Sequence, residues 1–413
     1  MTNWPIVSVE DIAARSANAM STGPFGSSIG SRFFRPSGIP IVRGSNLSAD
    51  SEIRFRDEGL VFLDPTKAAE FSRSVVREGD LIFSCWGTIN QVGLLDGTSA
   101  YREYVISNKQ MKLTPDPSIV LPEYLYYLFS GSEMQQSILG GAVGTGVPGF
   151  NLARLKSLKF PLPPIEAQRR IADSLSCADR LITNMKCRIA KARGIRRGLI
   201  QELLTGRTRL PGFAGPWRRK ESLLAVATKF SGYWGSAPGG AAVEGRVIRA
   251  GDVTADHVIK GYALRGLTTS EAARAALLPG DVVITASGTI GNVALISDPG
   301  FYSSNFIRAL RPRPQLITGV YLYFALQTRS ARAAMDAHLG LSAMPNLGRG
   351  FYTDPWLDLP PLDEQRAIGA VLQSIDDEIA ALARRLESAR AIKQGMMQEL
   401  LTGGTRLTEG AAA

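Results

Sequence analysis

The chain has 413 residues, of which 45% are hydrophobic and 20% charged, and this suits two or three domains with their own cores. No apolar run approaches the roughly 18 residues that span a bilayer, and the first twenty residues lack the pattern of a signal peptide. The sparse cysteines, which lack C-x-x-C spacing, lead us to expect a cytoplasmic protein without disulfides or zinc. The net charge of +10 leads us to expect a polyanionic partner, nucleic acid before an acidic membrane.

Residues 1–160 are predicted to form a first mixed α/β domain. A strand is predicted from Ile39 to Arg43, and a β-hairpin joins Leu81–Cys85 to Gln91–Leu95. Apolar spacing from Tyr124 to Leu139, entered through Pro122, predicts a helix.

Residues 161–212 are predicted to form a long helix that begins after a Pro-Pro pair. Apolar residues alternate at spacings of four and three, as in the seam of a coiled coil. They are Ile171, Leu175, Ala178, Ile182, Met185, Ile189 and Ala192. A helix of this length would be a rod of roughly 58 Å.

The order of a mixed α/β domain followed by a long helix is then repeated. After a linker rich in proline and glycine, residues 213–357 predict a second domain with a strand over Arg246–Arg249, a hairpin of Val282–Ala286 with Asn292–Ile296, and a helix over Val320–Leu339. Residues 358–413 predict a second long helix. Its seam is Ile368, Leu372, Ile375, Ile379, Leu382, Leu386 and Ala389.

The two halves are a tandem duplication. Leu-Pro-Pro-Ile-Glu-Ala-Gln-Arg from Leu162 returns as Leu-Pro-Pro-Leu-Asp-Glu-Gln-Arg from Leu359, and Gln-Glu-Leu-Leu-Thr-Gly from Gln201 returns from Gln398 at the same offset. The helices are far more alike than the domains, which is typical of two recognition domains on one scaffold.

A single apolar seam needs a partner, and the other long helix is the obvious one. Residues 165–210 carry a clear positive surplus and residues 362–410 a small negative one, which favours pairing between unlike helices over a merely solvated basic face. Eight seam residues are predicted to carry this antiparallel pairing: Leu175, Ile182, Met185, Ile189, Leu372, Ile379, Leu382 and Leu386. Arg196 and Lys393 stand where the next apolar residue is due, and Ile195 and Ile392 just before them indicate a local change of winding.

Side chains suited to phosphates and base edges occur in both domains, although each taken alone could be an ordinary surface residue. The candidates are Arg32, Arg35, Arg43, Asn46, Arg54, Lys109 and Lys112 in the first domain and Arg246, Arg249, Lys260, Asn305, Arg308 and Arg349 in the second. The glycine-rich run Gly140–Gly146 would let backbone amides approach a phosphate.

Motifs of catalysis are missing from the sequence. There is no phosphate-binding G-x-x-x-x-G-K-[ST] loop, no Asn-Pro-Pro-aromatic tetrad of adenine methylation and no paired metal ligands near His257 or His338. We therefore expect no catalytic residues and no metal in this chain.

The Leu-Pro-Pro-x-x-x-Gln-Arg start, the heptad helix and the Leu-Leu-Thr-Gly-x-Thr-Arg-Leu end, present twice, resemble the specificity subunits of type I restriction–modification systems. The resemblance covers the whole chain. Gly-Thr-Ile turns, Pro148 and Pro345 are weaker matches, and Ala167 departs from the Glu that Glu364 retains.

The resemblance implies two target recognition domains separated by a pair of long antiparallel coiled-coil helices with pseudo-two-fold symmetry. Each domain would read half of an asymmetric, bipartite target in double-stranded DNA. Two methyltransferase subunits and a nuclease-translocase subunit would be partners in a prokaryotic cytoplasm, and S-adenosylmethionine, ATP and magnesium would bind to them and not to this chain. If the rod sets the distance between half-sites, removing one heptad of about 10 Å from both helices should shorten the spacer by about 3 base pairs.

Three other hypotheses remain open at this stage. The chain could be a solitary recognition module that serves methylation alone, a structural adaptor with incidental basic charge, or an enzyme with an unrecognised site. Salt-dependent DNA affinity would argue against the adaptor, and activity of the isolated chain on DNA would support the enzyme.

Overall fold

The computed structural model describes residues 4–140, 150–340 and 346–405. It divides into two compact units, Met1–Lys186 with Arg385–Ala413, and Cys187–Arg384. Both contain helices and sheets, which confirms the mixed α/β class. The predicted run Gly140–Gly146 lies outside the described residues except for Gly140, and Pro148, Pro345, Arg406 and Leu407 also lie outside them.

The first unit contains three sheets. Ile6–Ser8 pairs with Lys159–Pro161. The second sheet is antiparallel, in the order Met20–Thr22, Gln110–Leu113, Leu81–Ser84, Val92–Leu94. The third has the order Phe34–Arg35, Val61–Leu63, Ile39–Val42, Glu103–Ile106, Val75–Arg77, with one parallel pair between Ile39–Val42 and Glu103–Ile106. The helices are Pro65–Ala69, Pro122–Ser130, Ser132–Gly140 and Leu152–Ser157, and short 3-10 turns lie at Glu10–Ile12, Gly26–Ile29, Ser31–Phe33, Gly44–Asn46 and Ser72–Ser74.

The second unit repeats this plan. Arg218–Glu221 pairs with Leu357–Leu359, and an antiparallel sheet has the order Ala227–Phe230, Ile307–Pro312, Val282–Thr285, Val293–Leu295. A third sheet has the order Ala263–Leu267, Val243–Ile248, Phe301–Ser303, again with one parallel pair. The helices are Leu223–Val226, Thr269–Ala275, Gly319–Ala325, Arg329–Ala337 and Gly350–Thr353, and a 3-10 turn lies at Ala250–Asp252. The shared strand order confirms the duplication.

Both hairpins form as predicted, but each domain helix is split in two. In the first unit Gly131 takes an extended conformation between the two helices, with φ −71° and ψ 150°. In the second, Thr328 caps the new helix by accepting a hydrogen bond from the backbone of Ala331. A break of one to three residues leaves the apolar spacing nearly in phase, so periodicity alone could not locate it.

Two long helices follow the domains. The first long helix is Ile165–Leu203, with 39 residues, and the second long helix is Leu362–Leu401, with 40. The eight predicted pairing residues are all buried or half-buried along them. Both seams continue through Arg196 and Lys393, while Ile195 and Ile392 are exposed; the local change of winding stays a prediction. The seam continues because each cation meets a carboxylate, as described below.

Within each unit, parts of the two long helices pack in opposite directions. In the first unit Lys393 pairs with Asp179, and Leu401, further along the second long helix, shares a core with Ile171, which precedes Asp179. In the second unit Arg196 pairs with Asp376, and Leu203 shares a core with Ile368. The antiparallel direction is thus present in both units. The predicted domain boundaries at residues 160, 212 and 357 stay predictions.

A buried glutamine fixes the start of each long helix. Gln168 accepts a hydrogen bond from the backbone N–H of Leu121 at 2.9 Å and donates to the carbonyls of Ile119 and Pro163. Gln365 makes the same three bonds to Thr318, Leu316 and Pro360. Because a buried amide is costly unless its hydrogen bonds are satisfied, this pattern explains the glutamine of the repeated motif.

Candidate nucleic-acid interface

Equivalent loops leave the parallel strand of each unit. They are Arg43–Leu47 in the first unit and Arg249–Val253 in the second, and we call them the reading loops. In each, the side chain of the fourth residue accepts a hydrogen bond from the backbone N–H of the arginine, at 2.9 Å from Asn46 to Arg43 and 2.9 Å from Asp252 to Arg249. A short side-chain acceptor at this position therefore closes the loop in both units.

A second amide holds the far end of each reading loop. Gln91 donates to the carbonyl of Leu47 at 3.3 Å, and Asn292 donates to the carbonyl of Val253 at 2.9 Å. In each unit the Gly-Thr-Ile turn joins the two strands of the hairpin, and the amide residue lies between this turn and the second strand. Each loop is therefore fixed at one end by its own fourth side chain and at the other by an amide of the neighbouring sheet.

A turn from the adjacent parallel strand lies beside each reading loop. Ser107 donates its N–H to the carbonyl of Val42 at 3.2 Å, and Ser304 donates to Ile248 at 3.3 Å. The predicted residues Lys109 and Asn305 follow these serines and are exposed. The fold thus brings Arg43 and Lys109 to one sheet edge, and Arg249 and Asn305 to the equivalent edge.

Two other predicted residues of the first unit lie farther away. Arg32 is exposed, with its guanidinium 4.7 Å from the centre of the Phe33 ring, and Arg35 is exposed with Nη1 donating to the carbonyls of Arg32 and Phe34. Arg35 ends a strand that is two strands away from Ile39–Val42, and Arg32 lies in the 3-10 turn before that strand. They form a separate basic patch on the same sheet, and their contact with DNA stays a prediction.

Three predicted contacts need correction because their side chains are used inside the fold. Asn46 is fully buried and donates to the carbonyls of Arg56 and Glu58. Lys112 is 7% exposed, and its ammonium donates to the carbonyl of Val75 at 2.8 Å; burial above all lowers its pKa.

Arg54 is the third of these residues. It bonds to Asp96 at 3.0 Å, to the Tyr127 hydroxyl at 3.1 Å and to Ser176 of the first long helix at 2.8 Å. Its guanidinium joins the domain to the helix within the first unit. We remove Asn46, Lys112 and Arg54 from the candidate interface.

In the second unit, Arg246 is half-buried, with its guanidinium 4.2 Å from the centre of the Phe301 ring and Nη2 donating to the carbonyl of Pro299 at 2.7 Å. Lys260 is exposed, and its backbone N–H donates to the carbonyl of Asp252 at 2.9 Å. Lys260 therefore lies beside the reading loop, while Arg246 lies on the strand that leads to it.

A cation cluster near this edge was only partly predicted. Lys229 lies with its ammonium 4.4 Å from the centre of the Tyr352 ring. Burial lowers the pKa of this lysine, and the positive charges of Arg308 and Arg349 lower it further. Arg308 and Arg349 were sequence candidates, but Lys229 lies on a distant strand and nothing in its local sequence marked it. Three cations repelling one another favour an anion between them.

The turns that precede these hairpin amides differ in bulk. Gly87 and Gly288 both have positive φ, 83° and 74°, so the backbone turns alike. Trp86 is 51% exposed, whereas Ser287 at the equivalent place donates to the side chain of Asn346 at 3.1 Å. The first domain thus presents an aromatic surface that the second lacks.

No group of three or more potential metal ligands occurs among the described residues. None of the helices in the described ranges is long and apolar enough to cross a membrane.

Two copies of an α/β domain, each with a fixed basic loop and each followed by one of two antiparallel helices, define a duplicated recognition protein on a helical scaffold. The chain belongs to the family of type I restriction–modification DNA specificity proteins, since the model of that DNA specificity domain matches residues 67–192 and 263–389. The two matches fall at equivalent parts of the two copies.

Two similar proteins match this chain, one over nearly its full length and one over a third of it. A putative type I restriction enzyme MjaX specificity subunit from Methanocaldococcus jannaschii is 23% identical over 90% of this chain and 88% of its own length. The EcoBI specificity subunit of Escherichia coli is 24% identical over 33% of this chain and 29% of its own length.

Solved structures share the fold. The type I restriction–modification S subunit from M. genitalium has a TM-score of 0.59 at 16% identity and covers 98% of this chain and 97% of its own. A chain from a study of complex assembly and conformational transition of the type I R-M system has a TM-score of 0.58 at 20% identity, covering 97% and 98%. These matches confirm the tandem α/β architecture.

Proposed function

We propose that this chain is the DNA specificity subunit of a type I restriction–modification complex, in which each domain reads one half of an asymmetric, bipartite target in double-stranded DNA. One observation carries the proposal. The two reading loops are closed in the same way at equivalent sheet edges, yet their arginines are held differently: the guanidinium of Arg249 is bound by Asp252, whereas the side chain of Asn46 is buried and does not bind the guanidinium of Arg43. Two equivalent loops whose arginines are held differently suit a DNA target whose two halves differ in sequence.

The chemistry would belong to partner subunits. Two methyltransferase subunits would bind along the long helices and use S-adenosylmethionine, and a nuclease-translocase subunit would use ATP and magnesium in the same cytoplasmic complex. The helices offer protein contacts, because Ile195 and Ile392 occupy equivalent positions and are 50% and 63% exposed. The equivalent placement of these two side chains suits one copy of the same partner on each helix. This chain would determine the DNA sequence at which the complex acts and would contribute no catalytic residue.

The deciding experiment is a genome-wide map of adenine methylation by single-molecule sequencing, with and without this gene. Loss of one split, asymmetric motif on deletion, and its return on complementation, is the expected result. An unchanged methylation map in a strain where the methyltransferase partners are expressed would contradict the proposal.

Two alternatives are separated by further measurements. A subunit that serves methylation alone would direct the same motif but leave unmodified DNA uncut when all partners are present. A structural adaptor would bind its protein partners with no DNA affinity, whereas phosphate contacts make DNA affinity fall steeply with salt.

A further inference from the structure

The second reading loop holds its arginine with an acidic neighbour. We infer that Arg249 reads a guanine in the DNA target and that Asp252 is the residue that positions it. This inference rests on the proposed function, because it names a residue and a base through which one domain distinguishes DNA sequences.

Two atoms of the guanidinium are occupied by the carboxylate. Nε of Arg249 donates to Oδ2 of Asp252 at 2.9 Å, and Nη2 donates to Oδ1 at 2.7 Å. A guanidinium has five N–H donors in a rigid plane, so the edge formed by Nη1 and the second hydrogen of Nη2 remains. Two parallel donors match the O6 and N7 acceptors of guanine in the major groove.

The carboxylate is itself fixed. The side chain of Asp252 is 7% exposed, and Oδ2 also accepts the backbone N–H of Arg249 at 2.9 Å. A Cβ atom at Gly261 would lie 3.1 Å from Oδ1, so the glycine leaves room for the carboxylate. Because Asp252 cannot turn away, the arginine is held before DNA arrives, while 49% of its side chain stays exposed.

Holding the arginine also changes what it can recognise. The ion pair offsets its charge and weakens its attraction to phosphates in general, but directed hydrogen bonds to a base remain. An arginine that is already ordered loses less conformational freedom when it binds. These two effects together favour discrimination between bases over general affinity.

Arg43 in the first reading loop provides the contrast. It is exposed, and over the three described ranges no ion pair or side-chain hydrogen bond of its guanidinium is found. Asn46 cannot hold it, because the amide already donates to the carbonyls of Arg56 and Glu58. Arg43 is therefore an exposed positive charge that no carboxylate positions within the described residues, and a lysine should replace it where a lysine cannot replace Arg249.

The test uses the full complex of this chain with its methyltransferase subunits. Its equilibrium affinity is measured on duplexes that contain the mapped motif and on duplexes with each base of both half-sites replaced in turn. We expect Arg249→Lys, which keeps the charge, to lose preference for guanine at one position of one half-site by roughly 5- to 150-fold. Arg43→Lys should change base preference far less than Arg249→Lys does, since any contact that Arg43 makes depends on charge.

Asp252→Asn tests the positioning role. The substitution keeps the shape and one acceptor for the backbone N–H, but it frees the guanidinium. We expect the guanine preference at that same position to fall and binding to unrelated DNA to rise, with a steeper salt dependence. Asp363→Asn is the matched control, because Asp363 forms an exposed pair with Arg366 at the same sequence separation and the same distance, 2.7 Å.

The outcomes separate cleanly. Full base preference in Arg249→Lys overturns the assignment of Arg249, and full preference in Asp252→Asn overturns the role of Asp252. Thermal unfolding of each complex establishes that the variants are folded. Unchanged base preference in the other half-site shows, in the binding measurement itself, that the rest of the complex is intact. A wild-type complex that binds the motif no better than unrelated DNA would instead contradict the proposed function.

Discussion

The ammonium of Lys393 lies 2.5 Å from a carboxylate oxygen of Asp179, in the seam where an apolar residue would be expected. Lys393 is buried and also donates to the backbone and hydroxyl oxygens of Ser51. The equivalent cation in the second unit, Arg196, pairs with Asp376, which occupies the position equivalent to Asp179. Each long helix thus contributes one acid and one base, so these pairs fix direction and register.

Removing one partner of the buried pair should destabilise the first unit. Asp179→Ala leaves the Lys393 ammonium buried without its counterion, and we expect a loss of about 3–5 kcal/mol in the free energy of unfolding. Denaturant unfolding measures this loss. Asp363→Ala in an exposed pair should cost less than about 1 kcal/mol. A double variant, Asp179→Leu with Lys393→Met, should recover much of the loss, and equal destabilisation by all three variants would contradict the buried-pair explanation.

The two glutamines that fix the helix starts should be far more sensitive than other glutamines. Gln168→Met preserves length but leaves one N–H and two carbonyls without their partner. Since each unsatisfied buried group costs about 1–3 kcal/mol, we expect at least about 2 kcal/mol of destabilisation. Gln398→Met, at an exposed site of the second long helix, is the control. Equal unfolding midpoints for the two variants would show that the three hydrogen bonds contribute little.

The cation cluster of Lys229, Arg308 and Arg349 should contribute affinity without sequence preference. If Arg308 and Arg349 each contact one phosphate, replacing both with alanine should reduce the slope of log affinity against log salt by about 1.8, equally for all duplexes. Fluorescence anisotropy at several salt concentrations measures the slope. Arg332→Ala removes an exposed arginine already paired with Asp336 and should leave it unchanged. A change in base preference in place of the slope would show that these arginines contact bases.

The stability of the second unit should depend on His257. Burial above all, together with the nearby positive charge of Arg196, lowers its pKa to about 4, and the ring Nδ1 accepts a hydrogen bond from the N–H of Val293 at 3.3 Å. The unfolded chain, with a histidine pKa near 6.5, binds this proton more readily, so stability is full above pH 6.5 and falls as the pH decreases toward 4.

Thermal unfolding between pH 6.5 and 5 measures this effect. His257→Asn should reduce the dependence, since asparagine does not titrate and tolerates the positive φ of 62° at this position. An identical pH dependence in the wild type and the variant would show that other groups are responsible.

Those elements of the fold that depend on regular spacing of apolar residues could be predicted from the sequence. The seam residues and both hairpins could be predicted because their periods are local. The continuation of the seams through Arg196 and Lys393 could not be predicted, because the aspartates that accommodate these two cations lie on the other helix, where no local pattern can show them. Asn46 and Lys112 were misassigned for the same reason, since burial by distant strands decides whether a polar side chain can meet a ligand. Lys229 was missed because its neighbours Arg308 and Arg349 come from far along the chain.

The anchors of the two long helices have an evolutionary consequence. Within the described residues, Gln168 and Gln365 each bond to two backbone groups of the preceding domain and to one carbonyl of the Pro-Pro pair that begins the helix. Mutations can therefore replace many domain side chains without altering these backbone bonds, except where a side chain such as Arg54 itself binds a long helix. We therefore expect the joint to accept a domain of the same backbone with other side chains, so that what a domain contacts can change while the two long helices stay the same.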